Sequence, residues 1–220
     1  MLPTSLIEIY RDAFRKHGNS PDAVLWPKGR QQLRFSSLTS HLRKNGFSIL
    51  DFGCGLGHLK SYLDTRFSTF RYSGVDLVPE FISECQKKFP DSSFTQIGGL
   101  GDISDPYDYV VLSGVFNILY GHSREQHRLA VYDTIEHLFR HTRIALSCDF
   151  MTDRVDFEAP NAFHMNESAL VDFVQSRLSV RYRIDHSYMP YEYSVTVYKD
   201  HRILRPDNIY NGAEGEDSQA

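Results

Sequence analysis

The stretch ILDFGCGLG at residues 49–57, with Asp76 at the end of SGVD 19 residues further on, decides the fold of this chain. The apolar run from Phe47 to Phe52, which overlaps the start of this stretch, is typical of a buried parallel strand. The glycines that follow allow the backbone to turn sharply where a side chain would collide with a ligand. An acid at the end of the next strand can accept hydrogen bonds from both hydroxyls of a ribose. The segment therefore predicts a binding site for a nucleoside-containing cofactor.

The spacing of the glycines separates two classes of nucleoside cofactor. Dinucleotide-binding units use G-x-G-x-x-G, whereas Gly53, Gly55 and Gly57 form G-x-G-x-G. Asp51 precedes them in the order hydrophobic, hydrophobic, Asp, hydrophobic, Gly, Cys, Gly. In this form the segment resembles the first motif of the class I S-adenosylmethionine-dependent methyltransferases, and GVDLVPEFI at 74–82 resembles the second motif of that family. A nicotinamide oxidoreductase is therefore the least favoured function.

The resemblance implies S-adenosyl-L-methionine as the cofactor and a role for each matching residue. The glycine turn would cradle the methionine and ribose part, Asp76 would hold the ribose hydroxyls, and Leu77 would lie against the adenine. The family commonly has an Asp after the third strand that contacts the adenine amine. Here QIGGLGDISD at 96–105 places three glycines before Asp102. Either Asp102 or a backbone amide is left for that contact.

Helix and strand patterns alternate along the chain around this segment. Strands are predicted near residues 47–52, 72–75, 93–97, 107–113 and 143–150. Helices are predicted over residues 4–17, 27–42, 59–67 and 79–90, from Ser123 onward, and over 166–176. Ser123 and Gln126 match a capping box at the start of the fifth helix. The predicted buried face of that helix consists of Leu129, Ile135, Leu138 and Phe139.

The last part of the chain completes the predicted sheet. VRYRIDHSYMPYEYSVTVYK alternates around a turn at Pro190 and predicts an antiparallel hairpin. Alternating strands and helices followed by a hairpin predict an α/β fold with a doubly wound, mostly parallel sheet and N-terminal accessory helices. That order is similar to the seven-stranded methyltransferase fold.

The chain has 220 residues, of which 41% are hydrophobic, so it is long enough for one well-buried domain and short for two. We divide it into an N-terminal helical cap at 1–46, an S-adenosylmethionine-binding methyltransferase domain at 47–205 and a tail at 206–220. The tail is rich in Gly, Asn, Ser and acids, and we expect it to be disordered.

The charges and apolar residues of the sequence indicate which partners and which cellular compartment the protein is expected to have. No run of 18 or more apolar residues predicts a membrane span, and the charged N-terminus does not resemble a secretory signal. The three cysteines, Cys54, Cys85 and Cys148, are an odd number in apolar surroundings, which favours a reducing compartment. We therefore expect a cytoplasmic protein without a membrane partner, and a homodimer is left open. The net charge of −4 provides no basic field for a polyanion, so nucleic acid is disfavoured as a substrate.

In open parallel sheets, ligands bind outside the carboxyl ends of the strands at the switch point. This rule places Asp51, in the first strand, and Ser113, at the end of the fourth strand, in the cofactor site. Before the first strand, Trp26 could cover the methionine end of the cofactor and Lys28 could pair with its carboxylate. The alternative is that Trp26 packs between helices and Lys28 faces solvent.

Methyl transfer is a displacement at a sulfonium carbon, so alignment and exclusion of water are the main tasks. A general base is required only when the acceptor must lose a proton. His122, His186 and Asp149 are the candidate bases, because each lies in a loop or at a strand end that can reach the crevice. A structural or surface position is the alternative for each of them. No Cys-x-x-Cys pair or cluster of His and carboxylates suggests a metal.

Three functions are compatible with these observations. The leading hypothesis is a methyltransferase acting on an oxygen or nitrogen of a small molecule, such as a sugar or a biosynthetic intermediate. The second has the same fold and cofactor with RNA or protein as the acceptor. It requires that the basic residues of the N-terminal third converge, namely Arg11, Arg15, Lys16, Lys28, Arg30, Arg34, Arg43 and Lys44. The third is a catalytically silent cofactor-binding or scaffolding domain.

Overall fold

A computed structural model describes residues 4–25, 30–42, 45–119, 121 and 123–199, so the tail predicted at 206–220 lies outside the described residues. The helices are α1 (Thr4–His17), α2 (Gln31–Leu38), α3 (His58–Asp64), α4 (Pro79–Lys88), α5 (Arg124–Arg140) and α6 (Glu167–Arg177). The strands are β1 (Phe47–Phe52), β2 (Phe70–Asp76), β3 (Ser93–Gln96), β4 (Tyr107–Leu112), β5 (Thr142–Thr152), β6 (His164–Met165), β7 (Tyr182–Asp185) and β8 (Glu192–Tyr198). Two short 3₁₀ helices span Pro21–Val24 and Leu100–Asp102.

The strands form one sheet in the order β3-β2-β1-β4-β5-β8-β7. Strands β1 to β5 are parallel, whereas β8 is antiparallel to both β5 and β7. This arrangement confirms the predicted doubly wound, mostly parallel α/β sheet with a terminal antiparallel hairpin. The two-residue strand β6 pairs with the end of β5 outside that order, and the sequence does not predict it.

Two hydrophobic cores cover the faces of the sheet and fix the position of its central strands. Neighbouring residues of a strand point to opposite faces. Ile49 and Val111 pack in the core under α2, α3 and α4, whereas Leu50 and Val110 pack in the core under α5 and α6. All four side chains are fully buried. Because β1 pairs with β2 on one side and β4 on the other, the switch point lies between β1 and β4.

The predicted start of α5 is confirmed, but one residue of its predicted buried face is wrong. Ser123 Oγ accepts a hydrogen bond from Gln126 N–H at 3.2 Å, and Ser123 N–H donates to Gln126 Oε1 at 3.0 Å. Leu129 is 52% exposed, and Val131 is buried instead. Leu129 precedes Ile135 by six residues, which is about 600° of helix rotation and leaves it about 120° from the buried face.

The predicted second helix is too long. It ends at Leu38 rather than near Leu42, because the chain turns at the residues that follow. Thr39 Oγ1 donates a hydrogen bond to the Phe35 carbonyl at 2.6 Å, and Ser40 Oγ donates to the Ser37 carbonyl at 2.8 Å. Such side-chain bonds to nearby backbone offer the chain an alternative to continuing the helix.

Two further expectations concern cysteines and membranes. Cys54, Cys85 and Cys148 are all buried free thiols, in agreement with their apolar surroundings in the sequence. Within the described ranges, no helix combines the length and the apolar composition that crossing a bilayer requires.

Candidate functional site

A cleft of about 580 Å³ opens at the carboxyl ends of β1 to β4. It is bounded by the glycine turn after β1, by the residues that follow β2, β3 and β4, and by faces of α1 and α5. Five of the predicted cofactor residues line it, namely Gly53, Gly55, Asp76, Leu77 and Ser113. The switch point of the sheet therefore gathers residues that lie far apart in the sequence.

The glycines of the turn serve two different purposes. Gly53 and Gly55 line the cleft, with φ angles of +77° and +51°. A Cβ atom on Gly53 would lie only 2.8 Å from Val115 Cγ2. Gly57 starts α3 outside the cleft lining, and a Cβ atom there would lie 2.7 Å from the Phe89 ring. Close packing at the end of α4 explains the glycine at position 57, and a cofactor contact by Gly57 stays a prediction.

We expect Gly53→Ala to lower the free energy of unfolding by about 1–3 kcal/mol, because it combines a left-handed backbone with a collision in the core. Urea denaturation measures this change. Gly101→Ala is the matched control, since the structure leaves open space there and its backbone suits alanine. Equal stability of the two variants would contradict this account of the turn.

The Asp76 carboxylate joins the end of β2 to the glycine turn. Its Oδ2 atom accepts a hydrogen bond from Gly55 N–H at 2.9 Å, and its Oδ1 atom accepts one from Val78 N–H at 2.9 Å. Burial raises the pKa of Asp76, and the backbone hydrogen bonds oppose this shift. A carboxylate oxygen has two lone pairs, so Asp76 can hold the turn and accept hydrogen bonds from a ligand together.

Asp51, the acid of the first motif, lines a small recess of about 40 Å³ next to the turn instead of the main cleft. It is buried and accepts a hydrogen bond from the Tyr72 hydroxyl. Burial raises the pKa of Asp51 to about 7; the Tyr72 hydrogen bond lowers it, and the charge of Asp76 adds to the increase. Gln31 of α2 lines the same recess, with its side-chain nitrogen 3.2 Å from His58 Nδ1.

Asp102 shapes the loop after β3 from outside the cleft. Its exposed carboxylate accepts hydrogen bonds from the Gly98 and Gly99 N–H groups, at 2.7 and 3.3 Å. Gly98, Gly99 and Leu100 line the cleft, whereas Asp102 is not part of the lining. The two amides that would be the alternative adenine contact are therefore turned to the Asp102 side chain.

Asp149, a candidate base, is buried in an ion network rather than exposed in the cleft. Its Oδ2 atom lies 2.9 Å from Arg34 Nε, and Arg34 also pairs with Glu192. Its Oδ1 atom accepts a hydrogen bond from Gly114 N–H at 2.7 Å, and Oδ2 accepts one from Ser113 Oγ at 3.4 Å. Burial raises the pKa of Asp149 to about 6, and Arg34 opposes this increase. Asp149 thus fixes the loop after β4.

His186, another candidate base, lies between β7 and β8, apart from the residues that line the cleft. Its Nε2 atom is 2.9 Å from Glu167 Oε1, and its ring stacks on Tyr193 with centroids 5.0 Å apart. Glu167 also accepts a hydrogen bond from the Thr152 hydroxyl at the end of β5. These contacts tie the hairpin to α6 and β5.

Three predicted residues lie outside the described part of the chain. Trp26 and Lys28 are predicted at the methionine end of the cofactor, and His122 is predicted as a base. Their roles stay predictions.

Tyr10 and His127 are among the residues of the cleft lining that have no role in the sequence-based predictions. Tyr10 of α1 lines the cleft together with Asp76. His127 of α5 also lines it, and its Nε2 atom lies 3.0 Å from the Phe116 carbonyl oxygen. Because a carbonyl only accepts, Nε2 carries the proton. Helical spacing marks Tyr10 as part of a buried face, but the sequence has no signal that shows which surface this face covers.

Features that would point to other ligands are weak in the described residues. Among them, no group of three or more His, Cys, Asp and Glu residues is arranged to hold a metal ion. Arg34 cannot contribute to the predicted basic patch, because its side chain is fully buried. Two of its other members are paired with acids, Arg11 with Glu80 at 2.9 Å and Arg15 with Asp12 at 3.1 Å.

Sequence comparison finds similarity to a methyltransferase domain and to one bacterial protein. Residues 50–147 match the family model described as a methyltransferase domain. The Mycobacterium tuberculosis protein Rv1506c, which carries a provisional methyltransferase name, is 28% identical over 155 residues. The match covers 70% of this chain and 93% of that relative.

Solved structures share the fold at low sequence identity. The TehB-like SAM-dependent methyltransferase of Corynebacterium glutamicum has a TM-score of 0.54 at 16% identity, over 90% of this chain and 99% of that one. SAM-bound CalS10, an amino pentose methyltransferase of Micromonospora echinaspora, has a TM-score of 0.57 at 12% identity, over 87% and 97% of the two chains. The chain therefore has the fold of the class I methyltransferases, and its residues 50–147 are similar to a methyltransferase domain.

Proposed function

We propose that this protein transfers the methyl group of S-adenosyl-L-methionine to an oxygen or nitrogen atom of a small-molecule acceptor, such as a sugar or a biosynthetic intermediate. The observation that carries the proposal is the Asp76 carboxylate, which the Gly55 and Val78 amides hold at the cleft. A carboxylate in this position can accept hydrogen bonds from both hydroxyls of a ribose. We also place the reaction in the cytoplasm, which the three buried thiols support.

The residues that line the cleft fit this cofactor. Gly53 and Gly55 carry no side chain, so the methionine and ribose part can approach the backbone closely. Leu77, Ile97 and Leu100 provide apolar surface for an adenine next to Asp76. When bound, the cofactor supplies a methyl group on a positively charged sulfur.

The chain contributes alignment and exclusion of water. Residues 113–116 follow β4 and line the cleft opposite the residues that follow β2. The Asp149 carboxylate fixes two of them through its hydrogen bonds with Ser113 and Gly114. A loop held in this way can keep the acceptor in line with the methyl group, and such positioning supplies much of the rate of a displacement. An acceptor that must lose a proton also needs a base.

The cleft favours a compact acceptor with apolar surface. Leu6 and Ile7 of α1, together with Phe116 and Ile118 after β4, contribute apolar walls. The described residues that line the cleft include no lysine or arginine, so a phosphorylated acceptor has no cation to pair with there. CalS10, which shares the fold, is an amino pentose methyltransferase. This relative supports a small molecule over a macromolecule as the acceptor.

Calorimetric titration of the purified protein with S-adenosylmethionine and S-adenosylhomocysteine tests the proposal, with NAD as the control. We expect micromolar binding of both sulfur cofactors and no binding of NAD. A screen of phenols, amines and amino sugars for S-adenosylhomocysteine release then identifies the acceptor. Absence of cofactor binding would contradict the proposal and favour a scaffolding domain.

A further inference from the structure

We propose that Tyr10 belongs to the cofactor site and that α1, which carries it, retains the cofactor by covering its nucleoside half. The inference rests on the proposed function, because it takes S-adenosylmethionine and its product S-adenosylhomocysteine as the ligands beside Asp76. It adds to that function an element of the N-terminal cap whose docking controls how fast the cofactor leaves.

Ile7, Tyr10 and Phe14 of α1 pack in an apolar cluster that includes Leu56, Val78 and Phe81. Tyr10 and Phe14 pack edge-on against Phe81 of α4, with ring centroids 6.2 and 5.7 Å apart. Arg11 pairs with Glu80 at 2.9 Å, but both side chains are more than a third exposed, and such pairs contribute little. Among the described contacts, this apolar cluster, with its two ring contacts to Phe81, is therefore the main anchor. Because these three side chains of α1 are only half-buried, α1 opens more readily than the fully buried core of the sheet.

The segment after α1 continues this cover to the glycine turn. The 3₁₀ helix Pro21–Val24 places Val24 so close to Gly55 that an added Cβ atom would lie 3.0 Å from Val24 Cγ1. Val24 packs in the same apolar cluster as Tyr10 and Phe81, and both Tyr10 and Val24 line the cleft. The range 4–25 thus contributes Leu6, Ile7, Tyr10 and Val24 to the lining, and Val24 brings it to the glycine turn.

Tyr10 has the chemistry that a ribose contact requires. Burial and the charge of Asp76 raise the pKa of Tyr10 to about 12, so the phenol keeps its proton at neutral pH. Its hydroxyl has no hydrogen-bond partner among the residues that the structure describes. A ribose hydroxyl is both donor and acceptor, so it can donate to Asp76 and accept from Tyr10 at once.

A ligand that contacts both Asp76 and Tyr10 couples its own binding to the docking of α1. Such coupling is reciprocal: docked α1 tightens cofactor binding, and bound cofactor holds α1 in place by the same free energy. Docked α1 should therefore slow the release of the cofactor, and bound cofactor should slow the opening of α1.

Three variants of the full chain separate the parts of this inference. Tyr10→Phe removes the hydroxyl and keeps the ring on Phe81. Phe14→Ala weakens the anchor without touching the cleft, since Phe14 is not part of the lining. Ile9→Ala, at a residue that is 38% exposed on α1, is the control. Circular dichroism checks that each variant is folded.

Binding and release of S-adenosylhomocysteine are measured by calorimetry and stopped-flow displacement. We expect Tyr10→Phe to raise the Kd about three- to tenfold, the effect of one lost hydrogen bond. Phe14→Ala should speed dissociation by about tenfold, because most changes in affinity appear in the dissociation rate. Ile9→Ala should match the wild type. In hydrogen exchange, S-adenosylhomocysteine should protect the α1 amides of the wild type and protect those of Phe14→Ala less.

The outcomes distinguish this inference from the proposed function. A wild type that does not bind S-adenosylhomocysteine would overturn both. A wild type that binds, with unchanged Kd in Tyr10→Phe and unchanged release in Phe14→Ala, would overturn the role of α1 alone. If Phe14→Ala does not fold, Phe14→Leu, which removes the ring contact with Phe81 and keeps an apolar side chain, replaces it; reduced ligand-induced protection of α1 supports the inference, and wild-type protection contradicts it.

Discussion

Asp76→Ala is expected to weaken binding of S-adenosylhomocysteine by about 1.5–3 kcal/mol, or roughly 10- to 150-fold in Kd, the scale of lost hydrogen bonds to a charged group. The loss has two sources. Asp76 is proposed to hold the ribose hydroxyls, and it also holds Gly55 N–H of the glycine turn at 2.9 Å. Calorimetric titration of the folded variant measures the sum of the two.

Asp76→Asn separates these sources. Asparagine keeps one oxygen that can accept the Gly55 N–H bond, but it loses the charge and the second acceptor. We expect a wild-type glycine turn and an affinity between those of the wild type and Asp76→Ala. Asp91→Ala, at an exposed acid after α4, is the matched control and should bind like the wild type. A folded Asp76→Ala variant with unchanged affinity would remove Asp76 from the site.

Arg34→Met is expected to lower the free energy of unfolding by about 3–5 kcal/mol at neutral pH, the cost of leaving buried charges without a partner. The substitution removes the cation between Asp149 and Glu192, which are 1% and 9% exposed. Methionine is a flexible, unbranched apolar side chain that fills irregular space, so the lost charge rather than a cavity dominates the effect. Urea denaturation measures the change.

The direction of the pH dependence follows from Asp149. Burial raises its pKa in the folded protein to about 6, well above the ordinary value. The folded state therefore binds a proton more readily than the unfolded state, so stability falls as pH rises through the folded pKa. Without Arg34 the pKa of Asp149 rises further, because the positive charge that stabilises the ionised carboxylate is lost. The difference between Arg34→Met and the wild type should thus be smallest near about pH 5 and largest near about pH 8.

A triple variant provides the control for this network. Arg34→Met combined with Asp149→Asn and Glu192→Gln removes all three charges and should recover most of the lost stability. A difference between Arg34→Met and the wild type that does not change with pH would contradict the role of the buried carboxylates.

The ion network also favours a positioning role for Asp149 over that of a base. Its carboxylate contacts Arg34, Ser113 and Gly114, and it is absent from the lining of the cleft. His127 is the histidine that the described structure brings into the lining. A carboxylate that fixes the loop after β4 can influence methyl transfer through alignment without accepting a proton itself.

The central fold could be predicted because its signals are local. The strand at 47–52, the glycine turn and the acid at 76 depend on residues within about one strand, turn and helix of each other. The start of α5 was equally predictable, because a capping box involves only Ser123 and Gln126. Leu129 was assigned to the wrong face because apolar character alone does not fix the position of a residue around the helix axis.

The sequence by itself determined the α/β sheet, the position of the glycine turn and the place of Asp76, since backbone geometry and hydrophobic periodicity specify them over short distances. Only the tertiary structure decided that Arg34 is buried with Glu192, 158 residues away, and that Tyr10 joins Asp76 in the cleft. The physical reason is that an arginine or tyrosine has the same local sequence pattern at a surface as in a buried network. The packing of α1 on α4 brings Tyr10 to the cleft beside Asp76. The packing of α2 on β5 and β8 brings Arg34 to Glu192.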